Sequence, residues 1–199
     1  MNVRHYIFAC LSLFLLVSCS EQDDTIVDEY PNWQVQNEEY FEQQYLNHTT
    51  GSATSYVLQK WTLTDGVTPA HTDCILVDVI ESADASETKT PYLTDYVAIH
   101  YSGRLLPSTS FKSGFIFDQS FEGVYDPSVA VAVENAANTY LAGFTTALLH
   151  MRRGDHWRVT IPYQLGYGTS GNTTVPGYST LIFDIWMEDF WTEEKGDRE

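Results

Sequence analysis

The chain is poor in positive charge. Lys and Arg total 10 against 27 Asp and Glu, a formal charge of −17 over 199 residues. Affinity for DNA or RNA comes largely from cations that neutralise phosphates, so this balance argues against a nucleic-acid binder. It also sets the chain against anionic lipid surfaces. Three cysteines cannot build a disulfide scaffold. The extended apolar run at the front, Tyr6–Val17, has 12 residues, against the roughly 20 that a membrane-spanning helix needs. No Gly-rich phosphate loop and no Gly-x-Ser-x-Gly elbow occurs. His48, His71, His100, His150 and His156 lie scattered without ligand-like spacing, so no metal site is expected. The pairs Asp23-Asp24, Glu38-Glu39 and Glu193-Glu194 read as solvated charge. What is abundant is aromatic: 14% of the chain, with 13 Tyr. That points to a β-rich fold or an aromatic-lined site.

Residues 1–18 read as a secretory signal peptide, with Arg4 as its positive end and Tyr6–Val17 as its apolar core. The run ends Leu16-Val17-Ser18-Cys19, which resembles a bacterial lipobox and implies lipidation at Cys19. Loss of Arg4 then takes the formal charge from −17 to −18. Cys10 leaves with the leader, and Cys74 stands alone in an apolar stretch as a buried, inert thiol. Ser20-Glu21-Gln22-Asp23-Asp24 resembles the acidic stretch that sends some Bacteroidetes lipoproteins to the outer face of the outer membrane. A solvated linker fits the same residues. The expected location is the outer membrane, with the protein periplasmic or surface-exposed and membrane contact through the lipid alone.

Beyond an acidic tether at 19–30, a helix is expected over 31–47. Pro31 opens it, and Trp33, Asn37, Tyr40, Phe41 and Tyr45 share one face. With its following loop this extension covers 31–54. From Tyr56 the pattern is mostly strand: Tyr56–Leu63, Cys74–Ile80, Tyr96–Leu106, Phe115–Phe117, Val129–Val133, Trp157–Pro162 and Thr180–Met187. One helix interrupts them at Thr139–Met151. Asn138 is its expected cap, and Arg152-Arg153-Gly154 its basic end and stop. The fold class is α+β: an antiparallel curled sheet, a half-barrel, wrapped on one short helix over 55–191. A charged tail follows at 192–199.

Five blocks then arrive in order: His100-Tyr101-Ser102-Gly103; Phe117-Asp118-Gln119-Ser120; Leu141-Ala142-Gly143-Phe144 with Leu148, Met151 and Gly154; Ile161-Pro162 with Tyr167-Gly168 and Gly171; and Val175-Pro176 with Ser179–Ile185. Together they resemble the FKBP-type peptidyl-prolyl isomerases over about residues 90–190. The lipoprotein form of that family in Bacteroidetes is the one the leader suggests. The resemblance implies catalytic roles for Tyr101, Asp118 and Tyr167. It implies a substrate pocket of Phe117, Tyr140, Leu141, Phe144, Val175 and Phe183. Phe144 stands where the family has a floor Trp, Tyr140 where it usually has Val. The family wall Phe after the Phe117–Ser120 turn has no clear counterpart, which leaves Val129 or Val131 for that place.

The reaction implied is rotation of an X–Pro amide over a barrier of about 18–20 kcal/mol. No bond is made or broken, so no nucleophile, metal or cofactor is called for. An apolar pocket with a few oriented hydrogen bonds favours the twisted amide. Expected partners are proline-containing segments of envelope or secreted proteins, with macrolide inhibitors of the family as further ligands. Two other readings fit the residues: a non-catalytic binding or chaperone module with the same pocket, and a surface lipoprotein that holds glycan on a flat row of exposed Trp rings.

Overall fold

The computed structural model describes residues 27–192. The leader 1–18, Cys19, most of the tether and the tail beyond Thr192 lie outside the described residues.

The chain folds as α1 (Trp33–Thr49), β1 (Ser55–Gln59), β2 (Cys74–Glu81), β3 (Tyr96–Arg104), β4 (Ile116–Gln119), β5 (Val133–Ala136), α2 (Ala142–Leu148), β6 (His156–Ile161) and β7 (Leu181–Trp191). Every strand pairing is antiparallel. The sheet order is β1-β2-β6-β7-β3-β4, with β5 also paired to β3. β3 carries β7 along one edge; β5 takes its first half on the other edge, from Tyr96 to Ile99, and β4 its second, from Ser102 to Arg104. Strands 55–81 belong to the same sheet, since β2 pairs with β6.

β2 buries four successive residues, Cys74–Val77. A strand does this only when covered on both faces, because alternate side chains point to opposite sides. Ile75 and Val77 join the main core with Val97, Ile99, Phe144, Leu148, Val159, Ile161 and Ile185. Cys74, Leu76 and Asp78 have the other parity, and Asp78 pairs there with His48 of α1 at 3.1 Å. Cys74 is free and buried, and burial raises its thiol pKa. The inert-thiol expectation fits this environment.

Several elements differ from the sequence expectation. α1 begins at Trp33, not Pro31, after Asn32 in the left-handed region (φ 52°), which Asn tolerates better than most residues. β1 stops at Gln59, where the chain turns and Lys60 pairs with Asp73 at 2.6 Å. The strand expected at Val129–Val133 lies instead at Val133–Ala136. Asp126 caps a turn there, its carboxylate accepting from the Ser128 amide and hydroxyl. α2 is half the expected length. Asn138 is not its cap: Ala137–Thr139 form a separate 3₁₀ turn, and Leu141 precedes the first helical residue. The Thr145 hydroxyl donates to the Ala137 carbonyl at 2.8 Å and holds that turn against α2. Arg152 and Arg153 lie beyond the helix and pair with Asp155 and Asp189.

Candidate functional site

The residues of the expected pocket come from five separate segments and converge on one ring. Phe144 on α2 is buried, 2% exposed. Phe183 of β7 meets it edge-on at 4.9 Å, Tyr101 of β3 at 5.7 Å, and Tyr140, just before α2, stacks on it at 4.9 Å and 22°. Phe117 of β4 packs edge-on against Phe183 at 5.5 Å and against Tyr167 at 6.2 Å. Edge-to-face rings at these spacings are mutually favourable beyond their burial. Val175 is fully buried and packs in the same core.

Two glycines make room for this arrangement. A Cβ on Gly103 would overlap the Phe183 ring and sit 2.8 Å from Phe117. A Cβ on Gly143 would overlap Ile161, so Gly143 lets α2 lie close on β6.

The polar groups are few. Tyr101 donates its hydroxyl to Asp118 Oδ2 at 3.1 Å. The Tyr101 amide donates to Ser120 Oγ at 2.9 Å, so the Phe117–Ser120 turn holds both ends of that tyrosine. Asn135 Nδ2 reaches the Tyr140 hydroxyl at 3.4 Å. Among the described residues the Tyr167 hydroxyl and the Leu141 N–H make no hydrogen bond, and both remain available as donors. Burial, and then the charge of Asp118, push the Tyr101 phenol well above its ordinary pKa. Burial raises Tyr167 and Tyr140 too, with Asp118 adding to each. All three phenols therefore stay neutral, as donors must.

Tyr101, Phe117, Tyr140, Leu141, Phe144, Tyr167, Val175 and Phe183 pack in one core, and Asp118 reaches it through Tyr101. Tyr140 does more than line a wall: its stack covers Phe144. Val129 and Val131, candidates for the missing wall, do not serve; they are 76% and 82% exposed. Asn135, Gly103 and Ser120 were not assigned roles from sequence. Gly103 and Ser120 lie inside the quoted motifs, which was the available signal; nothing local marks Asn135.

The tryptophans form no flat exposed row among the described residues. Trp33 and Trp157 are buried, and Trp61, at 40%, is the one exposed Trp among the described residues. Trp186 is sandwiched with His156 and Tyr125, and Trp191 stacks on Tyr96. The glycan-platform reading loses its support.

The site is thus an aromatic-lined cradle in an α+β domain, built by a half-open antiparallel sheet around one short helix. Residues 87–188 match the model of the FKBP-type peptidyl-prolyl cis-trans isomerases, and the chain belongs to that family. It is 38% identical over 104 residues to a macrophage infectivity potentiator of Trypanosoma cruzi, covering 52% of this chain and 47% of that one. It is 34% identical over 102 residues to an FKBP-type 22 kDa peptidyl-prolyl cis-trans isomerase of Escherichia coli, covering 50% and 43%. The match thus spans about half the length of these relatives. In fold the chain is similar to a peptidyl-prolyl cis-trans isomerase of Pseudomonas syringae, with TM-score 0.53, 21% identity and coverage of 79% and 95%. It is also similar to FkpA of Escherichia coli, with TM-score 0.53, 22% identity and coverage of 79% and 60%.

Proposed function

We propose that the chain catalyses peptidyl-prolyl cis-trans isomerisation on proline segments of envelope or secreted proteins, tethered by a lipid on Cys19. The observation that carries the reading is the convergence of Tyr101, Phe183 and Tyr140 on Phe144, with the Tyr101–Asp118 hydrogen bond at its rim. Apolar rings take the proline ring and its amide out of water. A planar amide is more charge-separated than a twisted one, so desolvation lowers the barrier to rotation. The Tyr167 hydroxyl and Leu141 N–H would hold the carbonyl groups on either side. No proton moves, and no cofactor takes part. Macrolide inhibitors of the family are candidate ligands of the same cradle.

The test is refolding of a proline-limited client by the full chain, followed beside cis/trans exchange in a short proline peptide. Acceleration that disappears with Phe144→Ala supports the reading. One observation favours a second reading, a binding module without useful turnover: Tyr140 stacks over Phe144 and leaves it 2% exposed. Peptide binding that depends on Phe144, with no acceleration of either reaction, would establish that alternative.

The tether reading rests on Leu16-Val17-Ser18-Cys19 and the leader before it. Outer-membrane placement, on either face, follows from the same segment. Fatty-acid labelling of the full chain should vanish in Cys19→Ser, with accumulation of unprocessed precursor. Equal labelling of both would sink it.

A further inference from the structure

We propose that the back of the sheet, the face turned away from the cradle, carries a second site that takes an alkylammonium group, either a free amine or the side chain of a lysine.

Adjacent residues of a strand point to opposite faces. Tyr101 meets Phe144 in the cradle, so its neighbour His100 lies behind the sheet. There one row crosses four strands: Glu81 opposite His156, His156 opposite Trp186, and Trp186 opposite His100. The loop after β4 folds onto this row. Tyr125 packs on Trp186 at 4.4 Å and on His100 at 5.0 Å, and Phe121 supports both Tyr125 and Trp186. Beside these rings lies a cleft of about 580 Å³. Tyr125, Pro127, Trp186 and Met187 give it apolar walls, and Glu81 and Glu188 give it charge.

The charge there is one-sided. No Lys or Arg lines the cleft. Asp155, the third acid in its wall, is already held by Arg152 and the Ala83 amide. Glu81 and Glu188 are exposed, and among the described residues neither pairs with a Lys or Arg. Burial raises the Tyr125 phenol, and the charges of Glu188, Asp126 and Glu81 raise it further, with no cation acting on it. His100, 3% exposed, also lines the cleft. Its Nε2 meets Glu188 Oε2 at 3.0 Å, and its Nδ1 has no partner. Because Glu188 accepts, the neutral ring carries its proton on Nε2 and keeps Nδ1 as an acceptor that no group of the chain satisfies. Apolar walls, two unneutralised carboxylates and an open acceptor suit an alkyl stem with a cationic donor at its end. An anion would meet two like charges. At about 6 Å through water one carboxylate changes affinity for a unit cation about threefold, and two about tenfold. Screening erodes this as the Debye length shrinks from about 30 Å at 0.01 M to about 3 Å at 1 M.

The experiment uses the full chain with Nα-acetyl-lysine N-methylamide, the neutral norleucine counterpart of that amide, and butylammonium. Binding is read from the shift of the Trp186 indole resonance, assigned through Trp186→Phe. The lysine amide should bind about tenfold tighter than the norleucine amide in about 10 mM NaCl, and within about twofold of it in about 500 mM. Glu81→Gln and Glu188→Gln should each weaken the lysine amide about threefold, and together remove the preference. Both positions are exposed, and a glutamine at 188 still offers His100 an acceptor, so thermal melts should not move. If either melt does fall, the preference of the unaltered chain and its salt dependence decide. Asp118→Asn, in the cradle, should leave the lysine amide unaffected. Equal binding of the two amides overturns the proposal. So does a loss with Asp118→Asn as large as that with Glu188→Gln, which would place the cation in the cradle. Butylammonium bound at least as tightly as the lysine amide assigns the site to free amines, and weaker butylammonium assigns it to lysines of a polypeptide; either result upholds the site.

Discussion

The two sides of the sheet are covered by helices that hold on by different chemistry. α2 buries Gly143–Leu148 without interruption and meets the sheet through rings and aliphatic side chains. α1 buries only Trp33, Asn37, Phe41 and His48, and three of these four add a polar contact to the apolar packing of Trp33 and Phe41. Trp33 Nε1 donates to Ser179 Oγ at 2.8 Å. Asn37 Oδ1 accepts from the Thr180 amide at 2.7 Å, and His48 pairs with Asp78. The family match begins at residue 87, so α1 lies outside it. The cradle side is specified by shape and volume, where any lost atom leaves a void. The α1 side adds donor–acceptor matching to its ring packing, and there a lost partner leaves an unsatisfied buried group. Stability can be spread over both sides; the proposed chemistry belongs to one.

Substitutions can break this contrast, beginning with the largest effect. Phe144→Ala removes the ring on which three others rest, and should cost about 3–5 kcal/mol in chemical denaturation together with peptide binding. Phe144→Trp adds volume where Tyr101, Tyr140 and Phe183 already touch, and overpacking should cost about 1–3 kcal/mol.

Asn37→Ala is the matching cut on the other side. It leaves the buried Thr180 amide without its acceptor and should cost about 1–3 kcal/mol. Peptide affinity measured on the folded fraction should stay unchanged. A parallel loss of affinity would mean that α1 shapes the cradle through β7 and that the contrast is false.

Tyr167→Phe removes one donor from the cradle and little volume. The expected loss is about 0.5–1.5 kcal/mol, a fall of about two- to twelvefold in kcat/KM with stability almost unmoved. Complete loss from this change alone would point to a different reaction.

The smallest effects are in pH. Tyr101, Tyr140 and Tyr167 all have phenol pKa values raised by burial, so none ionises between pH 6 and 8 and their donors persist across that range. Ordinary phenols titrate near about 10. Above that the unfolded chain releases protons that the folded chain retains, so the folded state holds more protons and stability falls as pH rises. Below about pH 10 this contribution is fully present. Burial also raises Tyr56 to about 12, which places it in the same window. Thermal melts should be insensitive to these phenols up to about pH 9 and decline from about pH 10. A steep change in peptide turnover near neutrality would contradict a mechanism without proton transfer.

Much of the cradle was legible because its residues sit in short runs whose order is itself a signal. Tyr101, Asp118, Phe144, Tyr167 and Phe183 could each be picked out in a motif. The element ends were harder. At α2 the apolar periodicity continues through Tyr140, but Tyr140 is extended (φ −88°, ψ 171°) and the helix starts two residues later. The Thr145 hydroxyl bonds to the carbonyls of Ala137 and Tyr140 decide that start, and such bonds have no periodic signature. At 129–133 the valines suggested a strand, yet the Asp126–Ser128 turn moved the pairing four residues on, because register follows turn geometry as well as hydrophobicity.

By itself the sequence determined the class: strong acidity, an aromatic-rich chain, strand periodicity, one buried helix and ordered blocks, each set by residues near one another in the chain. The tertiary structure alone decided what those residues do to each other. It set Tyr140 over Phe144, brought Asn135 to the Tyr140 hydroxyl, and made Gly103 the space for Phe183. It also clamped α1 to Thr180, 143 residues away. Local patterns report which face is apolar, whereas contacts across long separations depend on the packing of the whole sheet, which no short window of sequence contains.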